Sequence, residues 1–330
     1  MMRSAVLGCG GYLPARAVTS EELAGALGTS GAQLTERSGV ACRRQAEDGQ
    51  GSSHLASEAA RRALGAAGLA PEGIDLIVFA TMTPDICFPG SGCFLQDQLG
   101  CRTIGAIDVR AQCAGFLVAL ATADRFIRAG KAERVLIAGA EVHSAALDFS
   151  PRGATVTPYF GDGAGVVVLG AAPEPGVLGT VLHADPDDLE RFWCEFPASR
   201  HMPARMDVEA FRAGRHFYQL EAERMHPQAE RVLPEVIGDA LERADVTPDG
   251  VALLLVHYLD HRVARRAARA AGVPDERIVA TAEAAGHMAA AGIPIALADA
   301  VTSGRVGRGD VVCAAAFGGG MAWGAAVVRL

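Results

Sequence analysis

At 330 residues, half of them hydrophobic, the chain is long enough for one large globule or two packed halves with a substantial core. No apolar run approaches the roughly 18 residues that a membrane helix needs, so no membrane partner is expected. A net charge of −8 and 30 thinly spread basic residues argue against nucleic acid.

The opening MMRSAVLGCGGYLP passes directly into a strand-like run, without the basic, apolar and cleavage regions of a signal peptide, and predicts a soluble cytoplasmic protein. Helix-like and buried-strand segments then alternate, SEAARRALGAAG before IDLIVFATM and FLVALATADRFIRAGK before RVLIAGAEV, which predicts an α/β fold. The pattern occurs twice. ALGAAGLAPEGIDLIVFA (63–80) aligns without a gap with ALERADVTPDGVALLLVH (240–257), an offset of 177 residues, and ALATADRFIRAGKAERVLIAGAE (119–141) aligns with ALADAVTSGRVGRGDVVCAAAFG (296–318). Two echoes in one order mark a duplicated unit, dividing the chain at 1–170 and 171–330.

In the first copy the strand TIGAIDVR leads to Cys113 and a helix beginning AGFLVAL; in the second, ERIVATA leads to His287 and a helix beginning MAAAGIPIAL. Counted from the aligned Leu64 and Leu241, Cys113 and His287 take near-equivalent positions, so halves packed about a pseudo-twofold axis would bring them together. His257 ends a buried strand opposite Ala80 of the first copy. A cysteine at a helix start faces free N–H groups and the positive end of the dipole, which predicts a lowered thiol pKa. Nearby imidazoles can take its proton or donate to a developing oxyanion, which is acyl-enzyme chemistry. FGGG (Phe317–Gly320) follows a buried strand and can aim an N–H at that oxyanion.

The remaining motifs read more quietly. FGDGAG (Phe160–Gly165) lacks the Lys-Ser/Thr of a phosphate loop and reads as a tight turn. Eight cysteines without a C-x-x-C pair predict neither a disulfide scaffold nor a metal site. Arg262, Arg265, Arg266 and Arg269 share a helix face, either a solvated surface or a landing patch for an acidic partner.

At these motifs the sequence resembles the ketoacyl-acyl-carrier-protein synthases III of the thiolase superfamily. The resemblance runs from GCGGYLP through DVRAQCAGF and YFGDGAG to AFGGGMAWGAAVVRL. It implies a five-layered α-β-α-β-α fold, a homodimer, and an acyl thioester on Cys113. It implies His257 as catalytic histidine, Gly319 with Cys113 itself as oxyanion donors, and Phe317 as a gate beside the acyl tunnel. Phe88 matches a phenylalanine that floors the partner's acyl pocket; a core role is the other reading. Arg37 and Arg262 match residues that dock coenzyme A or the carrier protein. No cofactor is implied, the substrates being acyl thioesters on phosphopantetheine or coenzyme A.

Three departures bear on function. Where the family has His-Gly-Asn, this chain reads Ala285-Gly286-His287, and GHMAAAG resembles the loop of the elongating, Cys-His-His ketosynthases. Gln33 replaces an adenine-stacking tryptophan, a loss of about 1–3 kcal/mol that favours a carrier-protein donor; Gln219 replaces a frequent lysine. The stretch 192–221 is inserted or diverged; its charged half reads as surface, while His216, Phe217 and Tyr218 are candidates to shape an unusual acyl pocket.

The expected function is an acyltransferase of specialised, polyketide-type metabolism that loads Cys113 and passes the acyl group to a hydroxyl, amine or carrier thiol. The alternatives are decarboxylative Claisen condensation with a malonyl thioester, and a catalytically silent partner subunit. A thiolase would need a second catalytic cysteine, and Cys313 lies in a buried strand.

Overall fold

LIVFA (Leu76–Ala80) shows no polar alternation because both its faces and both its edges are covered: it runs parallel to Gly105–Val109 on one side and Arg134–Glu141 on the other. Gly163–Ala172 and then Arg3–Tyr12 complete this first sheet by antiparallel pairing. The second sheet repeats the order. Leu253–His257 runs parallel to Ile278–Ala280 and Val311–Gly318, and Ala322–Arg329 and Val177–Ala184 follow antiparallel. The computed structural model describes residues 2–201 and 203–330.

Helices fill three layers around the two sheets. Gly115–Arg128 and Gly292–Thr302 lie between them and touch both. Ser52–Ala67 and Ser91–Leu99 cover the outside of the first sheet; Ala222–Ala244 and His261–Ala270 cover the outside of the second. The architecture is the α-β-α-β-α arrangement of the thiolase fold. No helix among the described residues is long and apolar enough to cross a membrane.

Small residues set the spacing of these layers. Ser52–Ala67 lies so close to Arg3–Tyr12 that a Cβ on Gly10 would overlap the Ala59 carbonyl and the Ala63 amide. Backbone cannot yield as a side-chain tip can, so Gly10→Val is expected to cost about 1–3 kcal/mol. A lowered urea midpoint with unchanged slope would register it.

The duplication extends to single residues, and it corrects the pairing read from the sequence. The turn Gln112–Ala114 before one central helix matches the turn Ala289–Ala291 before the other, with φ of 45° at Gln112 and 34° at Ala289. The 177-residue offset therefore carries Cys113 onto Ala290, not onto His287. His287 precedes that turn and reaches the thiol with its side chain, so the two meet near the axis without being related by it.

Candidate active site

Cys113 sits where the chain leaves Gly105–Val109 and makes one tight turn before Gly115–Arg128. It is 2% exposed. The backbone N–H groups of Gly319 and of Cys113 itself donate to its sulfur. Gly318 has no alternative, because a Cβ there would overlap that sulfur. FGGG thus ends Val311–Gly318 directly against the thiol and presents an amide to it.

Two imidazoles complete the cluster. His287 Nε2 lies 3.3 Å from Cys113 Sγ. His257, the last residue of Leu253–His257, stacks on His287 with centroids 4.4 Å apart, and its Nδ1 shares a 2.5 Å hydrogen bond with Thr281 Oγ1. The sulfur and one nitrogen from each ring all lie within 4.8 Å of one another. FGDGAG locks His287 in place: its N–H donates to the Tyr159 carbonyl at 2.8 Å, and Gly161 N–H donates to the His287 carbonyl at 3.1 Å. Asp162 then ties the turn down, accepting from Ala46 N at 2.8 Å and Ser144 Oγ at 2.6 Å. That motif is a structural turn with a positioning consequence.

Burial overturns the expected thiol acidity. Loss of solvent, followed by the charge of Glu141, pushes the Cys113 thiol up to about 12, and the two N–H donors only partly oppose this. The same burial lowers His287 to about 4 and holds His257 well below 6.5, neighbouring His287 adding to the shift at His257. The resting site is therefore a neutral thiol beside neutral imidazoles. Sulfur gains its nucleophilicity when an imidazole takes the proton during attack, so no standing thiolate is required.

The sequence missed two buried groups. Glu141, fully buried, accepts from Thr83 Oγ1 at 2.7 Å, Met82 N at 3.1 Å and Thr81 Oγ1 at 3.2 Å, and burial raises its carboxyl to about 7. His143, also 0% exposed, lies behind His287 with ring centroids 6.3 Å apart, and its Nδ1 shares a 3.1 Å hydrogen bond with Tyr218 Oη. The run AEVH following a buried strand was the only signal for either.

The other expected residues are dispersed. Phe317 is fully buried against Tyr258 and Trp323. Phe88 is 86% exposed, which excludes the core reading. Phe217 is not part of the buried cluster: it lies half-buried against His216 and under the Arg152 guanidinium, while its neighbour Tyr218 points inward. Arg37 and Arg262 line one cleft of about 690 Å³ with Gln33, Tyr159 and Asp260. The arginine face around it is already paired: Arg262 with Asp260, Arg265 with Asp275 and Glu283, Arg266 with Glu230, Arg269 with Asp275. An acidic partner would have to compete for those cations. Gln219 is exposed on a two-stranded ribbon.

Comparison with known proteins places this geometry. The family model described as 3-oxoacyl-[acyl-carrier-protein (ACP)] synthase III matches residues 107–186, and that of its C terminal region matches residues 241–330. The crystal structure of 3-oxoacyl-[acyl-carrier-protein] synthase III from Aquifex aeolicus VF5 is 34% identical, covers 99% of this chain and all of its own, and superposes with a TM-score of 0.88. The chain belongs to the 3-oxoacyl-[acyl-carrier-protein] synthase III family. The corresponding synthase III from Pseudomonas aeruginosa PAO1 is 31% identical over 99% of this chain and 98% of its own, with a TM-score of 0.89. The priming β-ketosynthase of the R1128 polyketide biosynthetic pathway is 29% identical over 99% and 96%, with a TM-score of 0.91. Synthases III are condensing, acyl-transferring enzymes of the thiolase superfamily. Two features of this site call for a chemical account, the imidazole of His287 against the thiol and the His143–Tyr218 pair behind it.

Proposed function

We propose that this synthase III takes an acyl group from a carrier-protein thioester, or from coenzyme A, onto Cys113 and passes it to a hydroxyl, amine or carrier thiol. The observation that carries this reading is the cluster of Cys113 Sγ, two amide N–H donors and two neutral imidazoles, with His257 Nε2 facing it without a protein partner. As sulfur attacks the thioester carbonyl, an imidazole takes the thiol proton. The oxyanion forms beside the Gly319 and Cys113 N–H groups. Its collapse expels the donor thiolate, which takes the proton back. In the second half-reaction His257 removes the acceptor's proton and passes it to Cys113, which leaves as the thiol. Retention of all these groups argues against a silent subunit. The R1128 priming ketosynthase among the relatives supports a place in polyketide-type metabolism. The exposed Phe88 ring supports a homodimer in which it covers the partner's pocket.

Decarboxylative condensation is the second reading, favoured by the second imidazole. Stacked at 4.4 Å, two neutral rings can both present N–H to one carbonyl oxygen and stabilise the enolate left when a malonyl thioester loses CO₂. Incubation with acyl-carrier thioesters and malonyl carrier protein separates the two. The expected result is an acyl mass adduct that discharges onto an alcohol, amine or carrier thiol without CO₂ release. CO₂ release coupled to a 3-oxoacyl product would replace acyl transfer with condensation.

A further inference from the structure

Behind the nucleophile lies a buried cluster of rings, a box of which the reaction as described uses only His287. Phe160 is its hub, with centroid distances of 5.0 Å to His143, 5.4 Å to His287, 5.5 Å to Tyr218 and 5.6 Å to Phe192. The box touches the thiol from two sides. On one, His287 Nε2 is 3.3 Å from the sulfur. On the other, Phe192 packs so closely on Gly319, whose N–H donates to that sulfur, that a Cβ there would come within 3.1 Å of the Phe192 ring. An acyl group on Cys113 that avoids the oxyanion donors extends toward these rings.

One wall of the box is polar. His143 is fully buried and shares its Nδ1 with Tyr218 Oη, yet its Nε2 has no protein partner. An unpaired buried nitrogen among aromatic rings carries a desolvation cost that an apolar side chain would avoid. Phe192 lies in, and Tyr218 directly precedes, a ribbon of two residue pairs, Phe192 with Leu220 and Trp193 with Gln219, joined to no other sheet among the described residues. Such a ribbon can yield to a ligand more readily than either five-stranded sheet. It also belongs to the stretch 192–221, which the sequence marks as inserted or diverged.

We infer that this box is the acyl subsite and that it selects an acyl group carrying a hydroxyl, which His143 Nε2 engages. The inference rests on the Cys113 thioester proposed above. A hydroxyl is the group that fits, because it donates and accepts. If Tyr218 donates to Nδ1, then Nε2 carries the proton and the acyl oxygen accepts; in the other tautomer the acyl hydroxyl donates to Nε2. A carboxylate is disfavoured because burial keeps His143 neutral and the charges of Glu141 and Asp162 already act on Tyr218. The aromatic faces around the polar wall suit a flat or short acyl body.

The test compares second-order rates of Cys113 acylation, read by intact mass, for two matched pairs of N-acetylcysteamine thioesters: 3-hydroxybutyryl against butyryl, and 2-hydroxybenzoyl against benzoyl. The hydroxylated member is expected to react about tenfold faster in at least one pair. His143→Leu should bring that ratio to about one, and Tyr218→Phe, which keeps the ring, should reduce it. Thermal unfolding confirms that each variant is folded, and the second variant serves if the first is not. Equal rates within both pairs, or a ratio unchanged in the folded variants, overturns the hydroxyl subsite while leaving the thioester intact. Failure of all four thioesters to acylate Cys113 overturns the thioester reading and this inference with it.

Discussion

Cys113→Ala is expected to abolish the acyl adduct and to lower acyl transfer by a thousandfold or more. The other groups of the site serve a reaction that the sulfur begins: the Gly319 N–H points at it, and His287 Nε2 touches it at 3.3 Å. Removing a nucleophile from a unit of this kind costs about as much as removing the whole unit. Intact mass after incubation with an acyl-carrier thioester gives the result, and peptide mapping excludes capture by the exposed Cys87, Cys93 or Cys194. His257→Ala should still acquire the acyl group, more slowly, and should discharge it poorly, because His287 can accept the thiol proton while the acceptor loses its base. An adduct that persists undiminished in Cys113→Ala would place the nucleophile elsewhere and remove the basis for every role assigned around it.

What the sequence revealed follows from how local each signal is. The two sheets were legible because Leu76–Ala80 and Leu253–His257 carry their burial in consecutive residues, and a duplication repeats that signal in register. Cys113 was legible from a strand, a turn and a helix start lying together in the chain. Its pKa was misread because dipole and amide donors are local, whereas the desolvation that outweighs them comes from the second sheet folding over the thiol. The supposed equivalence of Cys113 and His287 failed for a similar reason: symmetry relates backbones, and a side chain can bridge three residues of mismatch. His143 and Phe192 stayed hidden, and Tyr218 surfaced only within the cluster His216, Phe217 and Tyr218, because they meet only when the stretch 192–221 closes over the Arg134–Glu141 strand end, a contact without sequence periodicity. The arginine face could be read as free for a partner because its acids, Glu230, Asp275 and Glu283, lie outside that helix.

Between pH 7 and 5 the protein is expected to lose folding stability, and the buried histidines set the sign. Each is held neutral in the fold, with a pKa below the unfolded value of 6.5, so its contribution is present above 6.5 and is lost as pH falls toward the folded pKa. For His287, at about 4, the loss between pH 6.5 and 5 is about 2 kcal/mol. Glu141 works in the opposite direction. Its folded pKa is raised from 4.5 to about 7, so its contribution is full below 4.5 and vanishes as pH rises through 7; acidification returns about as much as His287 loses. His143 and His257, both depressed by the same burial, therefore decide the balance toward destabilisation. Urea unfolding at pH 7 and pH 5 measures the difference. His287→Asn, which restores the residue typical of the family, should lose about 2 kcal/mol less over that interval. An unchanged pH slope in a folded His287→Asn would mean that His287 is solvated or already protonated at neutral pH, and neither state is compatible with an imidazole that accepts the Cys113 proton.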